Sequence, residues 1–231
     1  MSEARTIESI QPLGDSALLV SFAARIDPGI NRRVHALRHW LLQNLAQEIL
    51  EAVPAYHSLA VYYSPMHTGF EALSQAIRDA DVSAALQQVA ARTVELPVCY
   101  DPRVAPDIGW LATQAKLSVD EVVALHSGAV YRVYFLGFKP GFAYLGGLHP
   151  CLHTPRKDTP RLAVPAGSVG IGGAQTGIYP QSTPGGWQVI GRTAAPLFSP
   201  EQDPPCLLQP GDQLRFKPIS LDEFLLQGGE L

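Results

Sequence analysis

Glycine and proline are distributed very unevenly along this chain, and this constrains its fold more than any other feature. Residues 1–92 contain only three of the 20 glycines, whereas residues 137–191 contain twelve glycines together with seven prolines. Dense glycine and proline mark tight turns, so the composition changes from helix-rich to turn-rich along the chain. We therefore expect an α+β protein of two domains, with a small α/β sandwich over residues 1–92 and a turn-rich domain over residues 93–231.

Hydrophobic spacing predicts the elements of the first domain. Short strands are expected on either side of a Gly-Asp-Ser turn within residues 7–22, and a helix begins at Pro28, since apolar residues then recur every three or four positions. Two paired strands are expected within residues 48–63. The spacing Thr68-Gly69-Phe70-Glu71 is that of a capping box and predicts a helix that continues to about Ala91.

The second domain combines two helices with many short strands. Residues 93–100 are strand-like, helices are expected over 105–116 and 119–127, and Ser118 with Glu121 has the spacing of another capping box. Strands of about five residues separated by glycine and proline turns are typical of a β-barrel or β-sandwich. The remaining strands are predicted at 133–138, 162–164, 186–192 and 213–218, with a closing helical turn at 220–226.

Charge, cysteine spacing and hydropathy exclude several classes of function. The net charge is −4 with Lys and Arg dispersed, so the positive field that drives nucleic-acid binding is missing. The three cysteines lie more than fifty residues apart, which predicts neither a disulfide framework nor a zinc site. The sequence has no signal-peptide pattern and no apolar run of the roughly 18 residues that a membrane span needs. We expect a soluble, cytoplasmic protein that binds neither nucleic acid nor membranes.

The common catalytic motifs are also missing. No phosphate-binding loop of the G-x-x-x-x-G-K-[ST] type occurs, and Gln175 stands where the dinucleotide-binding pattern requires its last glycine. Ser168 is preceded by Ala166 where a serine nucleophile elbow requires glycine. No histidine pair forms the H-E-x-x-H motif of a helical zinc site. No metal site is expected.

The strongest candidate for a binding surface is the stretch from 134 to 193, in which turn residues alternate with aromatic and cationic ones. Glycine allows backbone amides to approach a ligand closely, and Arg156 and Arg161 can each bind a carboxylate or phosphate with two hydrogen bonds. Such a surface suits a small anionic substrate. The alternative is that the glycines and prolines mark barrel turns while the aromatic side chains fill the core. His126, at the end of a predicted helix, has a packing or capping alternative to acid/base catalysis.

The same residues resemble the family of 5-oxoprolinase B subunits, also described as the KipI-like or allophanate hydrolase subunit 1 family. The resemblance extends over nearly the whole chain, including the turn at residues 13–20 and the strand at 95–100. Its most specific runs are GFKPGFAYL at 137–145, Pro155-Arg156, Pro160-Arg161, VPAGSVGI at 164–171, QTGIYP at 175–180, PGGW at 184–187 and GRT at 191–193.

The resemblance implies an N-terminal α/β domain and a C-terminal cyclophilin-like β-barrel. It further implies that the chain acts with a 5-oxoprolinase C subunit of related barrel fold and an A subunit of different fold, and is inactive alone. Together such subunits open 5-oxoproline to L-glutamate with hydrolysis of ATP, which acts with Mg²⁺. Because no phosphate-binding loop is present, we expect ATP to bind at a site shared with the C subunit.

Residue chemistry then suggests roles within that reaction. Arg156 and Arg161 would hold the substrate carboxylate or the transferred phosphate, and Lys139 would neutralise charge on phosphate oxygens. Amides of residues 167–173 would form an anion-binding nest, and Gln175 with Tyr179 would orient the lactam. The predicted catalytic residues are Arg156, Arg161, Lys139 and His126, and the predicted substrate-binding residues are Tyr144, Gly167, Ser168, Gly172, Gly173, Gln175 and Tyr179.

Two other functions use the same barrel. A KipI-like protein inhibits a sensor histidine kinase, in which case the aromatic residues would serve a protein interface. A carboxyltransferase or allophanate-hydrolase-associated protein takes part in urea degradation and needs a biotin-carrying partner. This sequence contains no biotin-accepting Met-Lys-Met of its own.

Overall fold

The computed structural model describes residues 7–88 and 92–231. They form two compact units that divide near residue 90. Within these residues, no helix is both long enough and apolar enough to cross a membrane.

The N-terminal unit is a four-stranded antiparallel sheet with helices packed against it. The strand order is β1-β2-β4-β3, and helix α1 contacts β3, β4 and α3. The apolar stripe that begins at Ile30 is buried against the sheet, as its spacing predicts. The elements are β1 Ser9–Pro12, β2 Ala17–Ser21, α1 Pro28–Asn44, β3 Ile49–Pro54, β4 Ser58–Tyr63, α2 Phe70–Asp79 and α3 Ser83–Gln88.

The predicted helix over residues 68–91 is wrong in its start and in its continuity. The N-cap of α2 is Gly69, which has no side chain to cap the helix, and not Thr68. The predicted capping box is therefore not formed. Helix α2 ends at Asp79, and a separate helix, α3, begins at Ser83. The Asp81 carboxylate accepts a hydrogen bond from the backbone N–H of Ser83. A local Asp-to-amide bond of this kind competes with a continuous helix. The predicted end near Ala91 lies outside the described residues.

The C-terminal unit is a closed seven-stranded barrel with helices around it. The strand order is β10-β7-β6-β13-β5-β12-β9, and β8 pairs with β11 in a separate two-stranded sheet. A 3₁₀ turn spans Pro150–Leu152. The elements are β5 Thr93–Cys99, α4 Ile108–Ala115, α5 Val119–Ser127, β6 Tyr131–Leu136, β7 Ala143–Gly146, β8 Arg161–Val164, β9 Ser168–Gly172, β10 Gln175–Ile178, β11 Thr183–Gly185, β12 Gln188–Arg192, β13 Gln213–Ile219 and α6 Leu221–Leu226.

The α+β class and the C-terminal barrel are confirmed. The capping box of α5 is also confirmed, because the Ser118 hydroxyl accepts the Glu121 backbone N–H while the Glu121 carboxylate accepts that of Ser118. Four strands do not follow from the sequence patterns, namely β7, β9, β10 and β11. Their glycines suggest loops, whereas in the folded protein they leave room for neighbouring aromatic rings.

Candidate functional site

Five aromatic side chains form one cluster on the barrel, which we call the aromatic cluster: Phe138, Phe142, Tyr144, Tyr179 and Trp187. Their rings meet mostly edge to face, with centroids 5.3 Å apart for Phe142 and Tyr179 and 5.6 Å apart for Phe142 and Trp187. This geometry matches the quadrupoles of aromatic rings. Trp187 and Tyr179 are buried, whereas Phe138 lies at the margin and is 56% exposed.

The Trp187 ring packs directly on the backbone of glycines in β9 and β10. A Cβ at Gly172 would lie 2.6 Å from Trp187 Nε1, and one at Gly177 would lie 3.0 Å from Trp187 Cζ3. Only glycine allows a ring to approach a strand this closely. The glycines of this segment therefore allow the Trp187 ring to pack closely on β9 and β10.

This packing gives a first testable prediction. Gly172→Ala should displace the Trp187 ring and destabilise the protein by about 1–3 kcal/mol, because the new methyl group overlaps the indole. Urea unfolding would measure the loss of stability, and the NMR signal of the Trp187 indole N–H would report the displacement of the ring. Gly109→Ala is a suitable control, since a Cβ at Gly109 meets nothing within 4 Å. Equal stability of Gly172→Ala and the wild type would contradict this account of the glycine.

Beside the cluster, one buried carboxylate holds two cations. Asp107, only 5% exposed, immediately precedes α4. Its Oδ1 accepts hydrogen bonds from Arg161 Nη2 at 2.7 Å and from Lys157 Nζ at 3.1 Å. Both cationic side chains are largely buried as well, with 26% and 32% of their surfaces exposed. The three charges sum to +1, which favours an anionic ligand.

The second oxygen of Asp107 is fixed by the barrel backbone. Strand β12 pairs with β5 only at Arg192, which leaves the edge of β12 open at Val189. There Asp107 Oδ2 accepts the Val189 N–H at 2.7 Å, and the Asp107 N–H donates to the Val189 carbonyl at 3.0 Å. Burial alone would raise the pKa of Asp107, but the hydrogen bonds from Arg161, Val189 and Lys157 outweigh it and lower the pKa.

A third cation lies over the aromatic cluster. The Arg156 guanidinium is 5.8 Å from the centroid of the Trp187 ring, within the range of a cation–π interaction. Burial raises the pKa of Tyr144 and of Tyr179, and the positive charge of Arg156 opposes the rise at both. The positive charge of Arg161 also opposes the rise in the pKa of Tyr179. The structure thus brings together four of the predicted residues: Arg156, Arg161, Tyr144 and Tyr179.

Two buried polar atoms near these cations have no hydrogen-bond partner among the residues that the structure describes. They are Nη1 of Arg161, a donor, and Oε1 of Gln188, an acceptor. The Gln188 side chain is held by a hydrogen bond from its Nε2 to the Pro155 carbonyl, next to Arg156. Leaving a buried polar atom unpaired costs about 1–3 kcal/mol. A ligand with matching groups would remove that cost.

Other predicted residues lie around this centre. Gly173 exchanges backbone hydrogen bonds with Thr154, so the β9–β10 turn, which Gln175 directly follows as the first residue of β10, lies against the loop that contains Arg156. Lys139 lies in the loop between β6 and β7, next to Phe138. Among the described residues Asp107 pairs with Lys157 and Arg161 and not with Lys139, so the role of Lys139 stays a prediction.

The backbone amides that were expected to form an anion-binding nest have partners within the protein. Strand β9 is paired on both edges, with β10 and with β12. At its two ends Gly167 N–H donates to the Tyr179 carbonyl and Gly173 N–H to the Thr154 carbonyl. The Ser168 side chain is buried. These amides are therefore already engaged and do not form a free anion-binding nest.

The structure places His126 inside the barrel, at 0% exposure. Its Nδ1 is 2.8 Å from the Tyr100 hydroxyl and its Nε2 is 3.1 Å from the Thr176 hydroxyl, which itself donates to the Gly170 carbonyl. Nε2 must therefore carry the proton, and Nδ1 accepts from Tyr100. Burial lowers the pKa of His126 to about 3. These contacts fit the packing alternative for His126.

Sequence reasoning missed Asp107 and Lys157. Asp107 stands before a helix, where aspartate ordinarily caps helical amides, yet its side chain makes no capping hydrogen bond. Its partners Lys157 and Arg161 are 50 and 54 residues away.

Within residues 7–88 and 92–231, no group of three or more His, Cys, Asp or Glu side chains is arranged to hold a metal ion.

Comparison with known proteins places the chain in a family. The family model described as "Carboxyltransferase domain, subdomain C and D" matches residues 8–208. The 5-oxoprolinase B subunit of Bacillus subtilis (strain 168) is 41% identical over 227 residues, covering 93% of this chain and 94% of that protein. The protein of the same name from Escherichia coli O157:H7 is 42% identical over 207 residues, covering 89% and 94%.

Two further similarities are partial. The crystal structure of TTHA0988 has a TM-score of 0.79 and 38% identity, covering 88% of this chain, which spans 40% of the TTHA0988 chain. The urea amidolyase of Lachancea kluyveri is 32% identical over 149 residues, covering 57% of this chain and 8% of that protein. The near-complete matches decide the assignment, and the chain belongs to the family of 5-oxoprolinase B subunits.

Proposed function

We propose that this protein is the B subunit of an ATP-dependent 5-oxoprolinase, which opens 5-oxoproline to L-glutamate together with the C and A subunits. The observation that carries the proposal is the match over about nine tenths of the chain to relatives that bear this name. Because the name denotes one subunit, it also supports a role within a complex rather than activity of the chain alone.

The chemistry of the site is compatible with this substrate. 5-Oxoproline is a small ring that carries a carboxylate and a lactam amide. Arg156 and Arg161 offer donors for the carboxylate, and Phe138, at the exposed margin of the aromatic cluster, offers an apolar surface for the ring. Gln175 and Tyr179 stay in the proposal as groups that orient the lactam. We assign no proton transfer to His126, because its ring is enclosed in the barrel.

ATP enters the proposal as a second substrate shared with the C subunit. The cations Arg156, Lys157 and Arg161 suit phosphate oxygens, and Lys139 remains a further candidate for that role. The carboxylate of Asp107 is already committed to two cations and a backbone amide. These residues do not by themselves fit a complete Mg²⁺–ATP site, which supports a site completed by another protein of the complex.

Glutamate release from 5-oxoproline and ATP tests the proposal. We expect release only when this protein is mixed with the C and A subunits, and none from this protein alone or from the mixture without it. A correctly assembled mixture of the three proteins that stays inactive would refute the proposal.

A role in carboxyl transfer is the second candidate, favoured by the description of the matching family model and by the match to urea amidolyase. That match covers little more than half of this chain and a small part of the relative. Biotin-dependent carboxylation of urea with a biotin-carrying partner, in place of glutamate release, would decide for this alternative.

A further inference from the structure

The Asp107 carboxylate connects strand β12 of the barrel to the two cations beside the aromatic cluster. One oxygen is bound to the Val189 amide of β12, and the other receives hydrogen bonds from both Arg161 and Lys157. Because the first bond fixes the carboxylate on the barrel, the second oxygen has a defined position. The two cations are thereby held close to one point, although like charges repel.

The guanidinium of Arg161 is not saturated by this arrangement. Its Nη2 donates to Asp107, while its Nη1 is buried and has no partner in the described part of the chain. A planar guanidinium held at one nitrogen presents its other donors in a fixed direction. The orientation of the unpaired Nη1 therefore depends on Asp107.

We propose that Asp107 is a positioning residue that holds Arg161 and Lys157 as a preorganised pair for an oxyanion of the substrate. The ligand chemistry is that of a carboxylate or a phosphate, because the group of three carries a net positive charge and an unused buried donor. The identity of the ligand as 5-oxoproline or ATP rests on the proposed function, whereas the positioning role does not.

A double-mutant cycle tests the role of Asp107. Asp107→Asn keeps an acceptor for the Val189 amide but turns an NH₂ group toward the cations, so both ion pairs are lost. In the reconstituted complex, Asp107→Asn and Arg161→Gln should each lower kcat/KM for 5-oxoproline about tenfold. The double variant should fall well short of the roughly hundredfold loss that two independent effects would give, because only the contribution of Lys157 remains to be lost. Asp101→Asn is the matched control, since Asp101 binds Arg103 in an exposed pair; it should leave kcat/KM unchanged.

A binding experiment on the full chain alone separates this inference from the proposed function. The probes are 5-oxoproline and inorganic phosphate, each followed through the NMR signal of the Trp187 indole N–H, with Trp40 and Trp110 as internal references. We expect at least one probe to shift the Trp187 signal in the wild type and in Asp101→Asn, with affinity reduced about tenfold in Asp107→Asn and in Lys157→Met. Urea unfolding of each variant confirms that it is folded.

The outcomes are distinct. Binding that is lost in Asp107→Asn, in a chain whose complex releases no glutamate, supports the positioning role and refutes the oxoprolinase proposal. An active complex in which Asp107→Asn and Arg161→Gln lower kcat/KM additively overturns the positioning role and leaves the oxoprolinase proposal standing. A wild-type chain that neither binds these probes nor supports turnover overturns both. If Asp107→Asn does not fold, Lys157→Met alone decides, and unchanged affinity and kcat/KM in that variant count against the inference.

Discussion

Replacing Arg161 or Arg156 by alanine should lower turnover of the reconstituted complex at least tenfold. A charge-assisted hydrogen bond to a carboxylate or phosphate contributes about 1.5–3 kcal/mol, which corresponds to a factor of roughly ten to a hundred in kcat/KM. Arg161 is the more enclosed of the two, since it is bound to Asp107, whereas Arg156 is exposed above Trp187. We therefore expect the larger loss for Arg161→Ala.

Steady-state kinetics of glutamate release, with 5-oxoproline and ATP varied in turn, would measure these losses. An increased KM for 5-oxoproline would assign the arginine to the substrate carboxylate, and an increased KM for ATP would assign it to the phosphates. Arg103→Ala is the matched control, because Arg103 forms an exposed pair with Asp101. Unchanged turnover in both Arg156→Ala and Arg161→Ala would remove the two arginines from the site.

Local sequence patterns predict the helices of this protein well. The spacing of Ile30, Val34, Leu37 and Leu41 identifies α1, and all four side chains are buried. Ser118 and Glu121 identify the start of α5. Such patterns are short-range, because residues three or four positions apart face the same side of a helix. The predicted boundary of α2 is wrong because a hydroxyl at the right spacing does not ensure that its capping bond forms.

The glycine-rich strands cannot be recognised in the same way. Gly170, Gly172 and Gly177 reduce the strand propensity of β9 and β10, yet each lies in the barrel beneath Trp187. The reason for each glycine is a ring at least ten residues away in the sequence. Long-range packing of this kind leaves no periodic signal, so sequence patterns do not distinguish these strands from ligand-binding loops.

The candidate site is predicted in part for a similar reason. Arg156 and Arg161 stand out because their residue type suggests anion binding, and Tyr144 and Tyr179 through the family motifs. Asp107 cannot be recognised in this way, since nothing near it in the sequence indicates that it will bind cations 50 and 54 residues away. The carboxylate that organises the cations becomes visible only when β12, α4 and the loop before β8 are placed together.

Lowering the pH from 7 to 5 should destabilise this protein by about 2 kcal/mol through His126 alone. The unfolded chain binds a proton at this histidine near pH 6.5, whereas burial lowers the pKa in the folded protein to about 3. Between these values the unfolded state binds more protons than the folded state, so stability falls as the pH falls. The loss begins near pH 6.5 and is complete only near pH 3.

His126→Gln isolates this contribution, because glutamine does not titrate and can still hydrogen-bond in the network of Tyr100 and Thr176. The variant should be less stable than the wild type at pH 7, since it loses the stacking of the imidazole on Phe216, whose ring centroid is 4.6 Å away. Its free energy of unfolding should nevertheless fall about 2 kcal/mol less than that of the wild type between pH 7 and pH 5. Urea unfolding at pH 7, 6 and 5 measures both slopes. Equal slopes would mean that the pKa of His126 is nearly the same in the folded and unfolded states, which would return it to consideration as an acid/base group.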